Sequence, residues 1–257
     1  MSTSGILKSS LVKKYWMALT GLFLCLFLVG HLAGNLQLFI PGYAGKLAFN
    51  EYAVFMTTNP AIKLLSYLTY ASILFHAIDG IVLTRQNRAA RSTKYAFEKA
   101  SVNSNWSSRN MAFLGIITLA YIVFHMSDFW FEYKFGEMPY MMNEAGTAVM
   151  TKASEAIEGG KVMDGHVFTA AGEDMGPAMK DLHAEVYEAF KVWWIVLAYV
   201  IGMTAIAFHL WHGVQSAFQS IGANHEKYTP LIKKVGAAFA VGVPVLFGLI
   251  PVYLYFV

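Results

Sequence analysis

Five histidines lie inside strongly apolar runs of this chain: His31, His76, His125, His209 and His212. An imidazole can ligate a metal through a ring nitrogen, carry a proton, or simply hydrogen-bond a neighbouring helix. At membrane depth such ionisable groups are rare and usually face the interior of a bundle, where they find a partner. A single one reads as an interhelical hydrogen bond, but several at matching depths ask for more. The stretch "AIAFHLWHGVQSAFQSIG" at 205–222 sharpens the question by placing two of them three residues apart. Which of them can do chemistry depends on the helices that carry them.

Of the 257 residues, 56% are hydrophobic and only 14% charged, against about a quarter charged in ordinary soluble domains. The mean hydropathy is +0.46. The apolar excess is gathered into long runs, which points to membrane spans rather than an oversized core. A net charge of +3 is too small to indicate a nucleic-acid partner. The single cysteine, Cys25, excludes an intrachain disulfide framework and a multi-cysteine zinc or iron–sulfur site. Lys8, Lys13 and Lys14 ahead of an apolar run imitate a signal peptide. That run continues to residue 40, beyond the roughly 7–15 residues of a signal core, so it reads as a retained first span.

Five segments are long enough to cross a bilayer: 15–40, 61–85, 110–133, 189–218 and 231–257. Tyr15, Trp16, Trp130, Trp193, Trp194 and Tyr253 lie near their ends, as interfacial aromatics do. The fold class expected is an all-α integral membrane protein, a single five-helix bundle spanning 1–257. Of the 19 basic residues, 12 fall on the side that holds the N-terminus and the 85–109 loop. The positive-inside rule puts that side in the cytoplasm and the C-terminus outside. The outer loop, 134–188, is the one soluble-looking piece. Its Ala- and Glu-rich stretches, broken by Gly159, Gly160, Gly172, Gly176 and Pro177, suggest short surface helices. His166 and His183 lie there without metal-ligand spacing and read as solvated.

Depth follows from topology and the helical rise. His31 is about 25 Å from the cytoplasmic side and His125 about 24 Å, while His76 and His209 are about 13 and 15 Å deep. The histidines therefore fall into two level pairs, His31 with His125 and His76 with His209, on four different helices. Two level pairs are what two bis-histidine haems require, each iron taking one imidazole on either face of its ring. Small residues leave room for a macrocycle: Gly30 and Gly34 beside His31, Gly80 four after His76, Gly213 four after His209. His209 shares its His-x-x-x-Gly context with His76 and lies closer to it in depth than His212 does. His212 is left a secondary role, hydrogen-bonding near a haem propionate or a quinone, with an exchange of roles between His209 and His212 as the alternative.

With these segments in place the chain resembles the single-chain, five-helix, dihaem cytochrome b subunit of succinate:quinone oxidoreductases, the succinate dehydrogenases and fumarate reductases. The resemblance covers nearly the whole chain and is carried by "LFLVGHLAGN" at 26–35, "ILFHAIDGIVL" at 73–83, "RNMAFLGIITLAYIVFH" at 109–125 and "FHLWHGVQSAFQSIG" at 208–222. It implies an outer haem b on His31 and His125 and an inner haem b on His76 and His209. Gly213 and Gly222, four and thirteen residues beyond His209, match the family's pattern after its last ligand. It further implies a flavoprotein and an iron–sulfur protein docked on the cytoplasmic side. A quinone, commonly menaquinone, exchanges the electrons, and a single-chain anchor points to a bacterial cytoplasmic membrane.

Quinone chemistry needs protons as well as electrons. Glu51, just outside the first span, and Asp79, three residues after His76, are the candidate carboxylates. Arg109, at the inner end of the third span, could pair a haem propionate. The basic loop 85–109 suits docking of the partners, or merely obeys the positive-inside rule. Some dihaem relatives carry a glutamate two residues before the last ligand; here that position is Ala207, which puts any transmembrane proton compensation in doubt. The leading alternative is a dihaem cytochrome b serving a hydrogenase, a formate dehydrogenase or a nitrate reductase. A histidine-lined transporter would want polar residues around His31 and His125, where the chain has "AYIVFHM". A membrane zinc enzyme lacks its H-E-x-x-H motif.

Overall fold

The computed structural model describes residues 9–90, 102, 104–136, 138–142, 161–163 and 166–257. The basic positions Lys8, Arg91, Lys94 and Lys99, and the Ala- and Glu-rich stretch 143–160, lie outside these residues. The protein is mostly helical, 81%, and five helices are long and apolar enough to cross a membrane: Ser10–Phe39, Pro60–Ala89, Met111–Phe135, Trp193–Ser220 and Thr229–Phe256. In chain order the elements are α1 (Ser10–Asn35) with a 3-10 turn (Leu36–Phe39), α2 (Gly42–Thr58), α3 (Pro60–Ala89), α4 (Trp106–Arg109) and α5 (Met111–His125). A π-helical turn (Met126–Phe131) continues α5 into α6 (Glu132–Phe135), and a sheet region leads to α7 (Leu182–Ala189), α8 (Trp193–Ser220) and α9 (Thr229–Phe256).

The helices look like membrane spans from outside as well as from their length. Large apolar side chains stand exposed on them, Leu26 at 72% and Ile116 at 63% among them, a surface that water would not tolerate at this extent. Threonine hydroxyls within the spans donate back to the carbonyl four residues earlier, as Thr69 does to Leu65, Thr84 to Gly80 and Thr204 to Val200. This back-bonding satisfies a polar group where no water is present.

Contacts divide the chain into two compact units, and every spanning helix has residues in both. The first comprises Met1–Leu32, Leu65–Tyr121 and Tyr199–Gly248. Its core is a stripe of α8, Met203, Ile206, Leu210 and Val214, packed on Ala240 of α9 with Cys25, Leu28 and Tyr121 around it. The spacing of three and four residues puts that stripe on one face of the helix. A Cβ at Gly202 would run into the Tyr121 ring, so the glycine permits that close approach.

The second unit comprises Ala33–Leu64, Ile122–Ala198 and Leu249–Val257. Here the structure departs from the all-α expectation. Residues expected to form surface helices instead build a four-stranded antiparallel sheet, order β1-β4-β3-β2, from β1 (Tyr140–Met142), β2 (Lys161–Met163), β3 (His166–Phe168) and β4 (Asp174–Lys180). The glycines expected to end helices serve the sheet: Gly172 (φ 85°) closes the β3–β4 turn, and Gly176 (φ 110°) sits in β4 opposite Val167, beside a register shift. Both conformations are left-handed and favour glycine.

The 17-residue helix α2 was not expected from the sequence at all. It is fastened through an ion pair, Lys46 Nζ to Asp181 Oδ2 at 2.5 Å, with the carboxylate wholly buried. Asn50, also fully buried, donates to Asp181 Oδ1 at 2.8 Å and accepts the backbone N–H of His183 at 3.0 Å. Asp181 at the same time caps α7 by accepting from the Ala184 amide. His183 is therefore not a solvated loop residue. It is half-buried between Phe49 and Tyr187, and burial holds its imidazole below the usual range, with Asp181 opposing the shift and Lys46 adding to it. His166 is partly exposed, and its Nδ1 meets Asp174 Oδ2 at 2.9 Å.

Candidate functional site

His76 on α3 and His209 on α8 lie together in the first unit, their ring centroids 6.1 Å apart and their planes at 62°. Each ring is seated on a glycine of another helix. A Cβ at Gly21 of α1 would be 3.2 Å from His76 Cε1, and one at Gly115 of α5 would be 3.7 Å from His209 Cε1. Four helices thus meet at the pair, two supplying imidazoles and two supplying glycine surfaces for them to rest on.

The tautomer of His76 is tied to a neighbour's hydrogen count. Thr20 Oγ1 stands 3.2 Å from His76 Nδ1. The same hydroxyl donates its one hydrogen to the backbone carbonyl of Trp16 (2.9 Å) or Met17 (3.1 Å). With its hydrogen on a carbonyl the hydroxyl offers the imidazole lone pairs, the arrangement in which His76 donates from Nδ1 and keeps a lone pair on Nε2. His209 has no such restraint: its Nδ1 is buried with no hydrogen-bond partner.

A metal–nitrogen bond of about 2.0–2.1 Å, with each ring centre about 1.2 Å behind its nitrogen, would set two imidazoles that share one ion about 6.5 Å apart. The observed centroid separation, 6.1 Å, is a few tenths of an ångström short of that span. Among the described residues no group of three or more His, Cys, Asp or Glu is placed to hold a metal ion. Two imidazoles alone leave most metals short of ligands, whereas a macrocycle supplies four of its own and asks the protein for just two. The donor set fits haem in that respect.

The other residues singled out from the sequence fall as follows. His212 is half-buried one turn beyond His209 on α8. Asp79 is half-buried one turn beyond His76. His31 belongs to the first unit, stacked on Phe27 (5.2 Å, 15°) and tilted against Phe247 (5.5 Å). His125 belongs to the second, at the last position of α5, with Phe129 edge-on at 5.7 Å. Arg109 is exposed, and its guanidinium donates to the Ser104 carbonyl. Glu51 is exposed on α2, beside the buried Asn50.

Of the glycines read as leaving room for a macrocycle, Gly30 and Gly213 have open space where a Cβ would be, and Gly80 meets only the tip of Met17 at 3.9 Å. Gly34 is different. The Tyr52 ring fills the space beside it, so that glycine accommodates a side chain of α2.

Sequence reasoning missed Thr20, Gly21 and Gly115. Thr20 lies eleven residues, about three helical turns, before His31 and so on a similar face of α1, a signal that was available. It also missed the π turn that begins directly after His125 and carries the half-buried Asp128. Such turns widen a helix and often mark functional sites.

Fold and site together define a helical protein with five membrane-length spans and a paired-imidazole centre between them. Comparison of the chain with protein-family models, with curated proteins and with solved structures finds no match.

Proposed function

We propose that this chain is the membrane anchor and electron-transfer subunit of a succinate:quinone oxidoreductase, holding two b haems in a bacterial cytoplasmic membrane. The observation that carries the reading is the His76–His209 pair, 6.1 Å between centroids, each ring seated on a glycine of another helix, Gly21 or Gly115. Two uncoordinated imidazoles at this depth would be costly to bury. In this reading His76 and His209 hold the inner haem, and His31 and His125 hold the outer one.

Haem iron would supply reversible one-electron transfer between an iron–sulfur partner and a quinone, menaquinone by the family resemblance. The chain's own residues do the rest. The glycine seats at Gly21 and Gly115 fix where the two rings sit, and apolar helix faces keep water from the metal's surroundings. Asp79, one turn from His76, is the carboxylate best positioned to hold a proton near the inner site, and His212 offers a second. Glu51, exposed on α2, can exchange protons with solvent near the outer site. The flavoprotein and iron–sulfur subunits would dock at the cytoplasmic face, where the basic 85–109 loop lies.

Adding succinate to anaerobic membranes that contain the intact complex tests the assignment. Reduction of a b-type absorbance by succinate, and its reoxidation by fumarate, is the expected result. Reduction by hydrogen or formate with no response to succinate would move the chain to the other dihaem cytochromes.

A further inference from the structure

We infer that Thr20 is a positioning residue for the His76 ligand, an inference that rests on the haem reading above. Its hydroxyl stands 3.2 Å from Nδ1, beside the Met17 backbone that also hydrogen-bonds the ring; accepting the Nδ1 hydrogen there would aim Nε2 and strengthen it as a donor. Back-bonding alone does not account for the residue. Thr57, Thr58, Thr69, Thr84 and Thr204 also donate to a carbonyl four residues earlier. Among the described residues Thr20 alone adds a histidine ring to that bond, and it is itself only 6% exposed. The adjacent Gly21 brings the His76 ring against α1, where Thr20 can reach it.

The arrangement makes the two imidazoles unequal. His76 has its Nδ1–H engaged, whereas His209 Nδ1 is buried without a partner. A ligating histidine that donates from its other nitrogen is held in one tautomer and one orientation and becomes more basic. A more basic ligand favours the ferric over the ferrous state, so Thr20 lowers the potential of the haem that His76 holds. Loss of an outer-shell partner typically costs tenfold or more in metal affinity; felt by the ferric form alone, a loss of that size sets the scale of the effect. Tenfold in the ferric-to-ferrous preference is about 59 mV for a one-electron couple.

The test is a redox titration of both haems in membranes containing the full complex, with the haem that disappears in His76→Ala identifying the one to follow. Thr20→Val keeps the shape and removes the hydroxyl; Thr20→Ser keeps the hydroxyl and removes a methyl. The expected result is an upward shift of that haem by about 59 mV in Thr20→Val, with Thr20→Ser close to wild type and the other haem unmoved. Should Thr20→Val fail to accumulate, Thr20→Ala gives the same reading. An unshifted potential without the hydroxyl, or an equal shift in Thr20→Ser, overturns the inference while the haem reading stands. Absence of haem from the wild-type protein overturns the haem reading itself.

Discussion

Asp181 is the residue on which the second unit should depend most. It is fully buried, pairs with Lys46 at 2.5 Å, accepts from Asn50 and caps α7. Asp181→Asn keeps an oxygen for Asn50 and for the Ala184 amide but leaves the Lys46 ammonium, 11% exposed, without its counter-charge. Breaking a buried pair by removing one partner costs about 3–5 kcal/mol. Asp181→Ala also loses the cap, worth about 1 kcal/mol more. The double variant Lys46→Met/Asp181→Asn removes both charges and keeps the hydrogen bonds, so it should recover to within about 1 kcal/mol of wild type. Glu51→Gln, one residue from Asn50 but on the exposed face, should stay within about 0.5 kcal/mol. Denaturant unfolding in detergent micelles reads all four, with limited proteolysis of the 138–190 segment as a local check. If both single charge removals cost less than about 1 kcal/mol, or the double variant is worse than either, the pair is not the fastening described here.

Three further outcomes follow from particular contacts. Gly34→Ala should destabilise the protein by about 1–3 kcal/mol because the new methyl meets the Tyr52 ring; Tyr52→Ala in the same chain should relieve it, whereas a haem at Gly34 would show as lost absorbance that Tyr52→Ala does not restore. Thr118 Oγ1 is buried without a hydrogen-bond partner, so Thr118→Val should leave stability unchanged or raise it by about 1 kcal/mol, and a loss of more than that in unfolding measurements would mean the hydroxyl is in use. The unfolded chain protonates His183 near its ordinary pKa of 6.5, before the folded protein does. The His183 contribution to stability is therefore intact above about pH 6.5 and falls as pH drops toward the depressed folded value; His183→Gln should flatten that part of a stability–pH curve, and an unchanged slope would contradict the burial.

The five spans were legible because each is a long run with few charges, a signal that needs no tertiary information. Helix α2 was not, and its buried stripe explains why. Gly45, Lys46, Phe49, Asn50 and Ala53 face inward, so two of the positions that would announce an apolar face are a lysine and an asparagine. They are buried only because Asp181 arrives to meet them, 131 residues from Asn50 in the chain. The sheet between residues 161 and 180 was misread for a similar reason. Its strands are short and their pairing is long-range, so glycines that looked like helix breakers turned out to shape a turn and a strand.

At the candidate site the histidines announced themselves by being ionisable where the sequence is apolar. The residues that seat them did not. Thr20 and Gly21 are unremarkable in an apolar helix until His76, 56 residues beyond Thr20, is folded against them. Gly34 carried the opposite error: a small residue beside a candidate ligand reads as space, but a tyrosine from an unforeseen helix takes it.

The most direct test of the central claim, that His76 and His209 hold one haem between them, is a haem count with optical redox titration in freshly isolated membranes. Wild type, His76→Ala, His209→Ala and His212→Ala are compared. Two b haems in the wild type, the same one missing from His76→Ala and His209→Ala, and both kept in His212→Ala is the result this account predicts. No haem in the wild type, or two different haems lost in His76→Ala and His209→Ala, would contradict it.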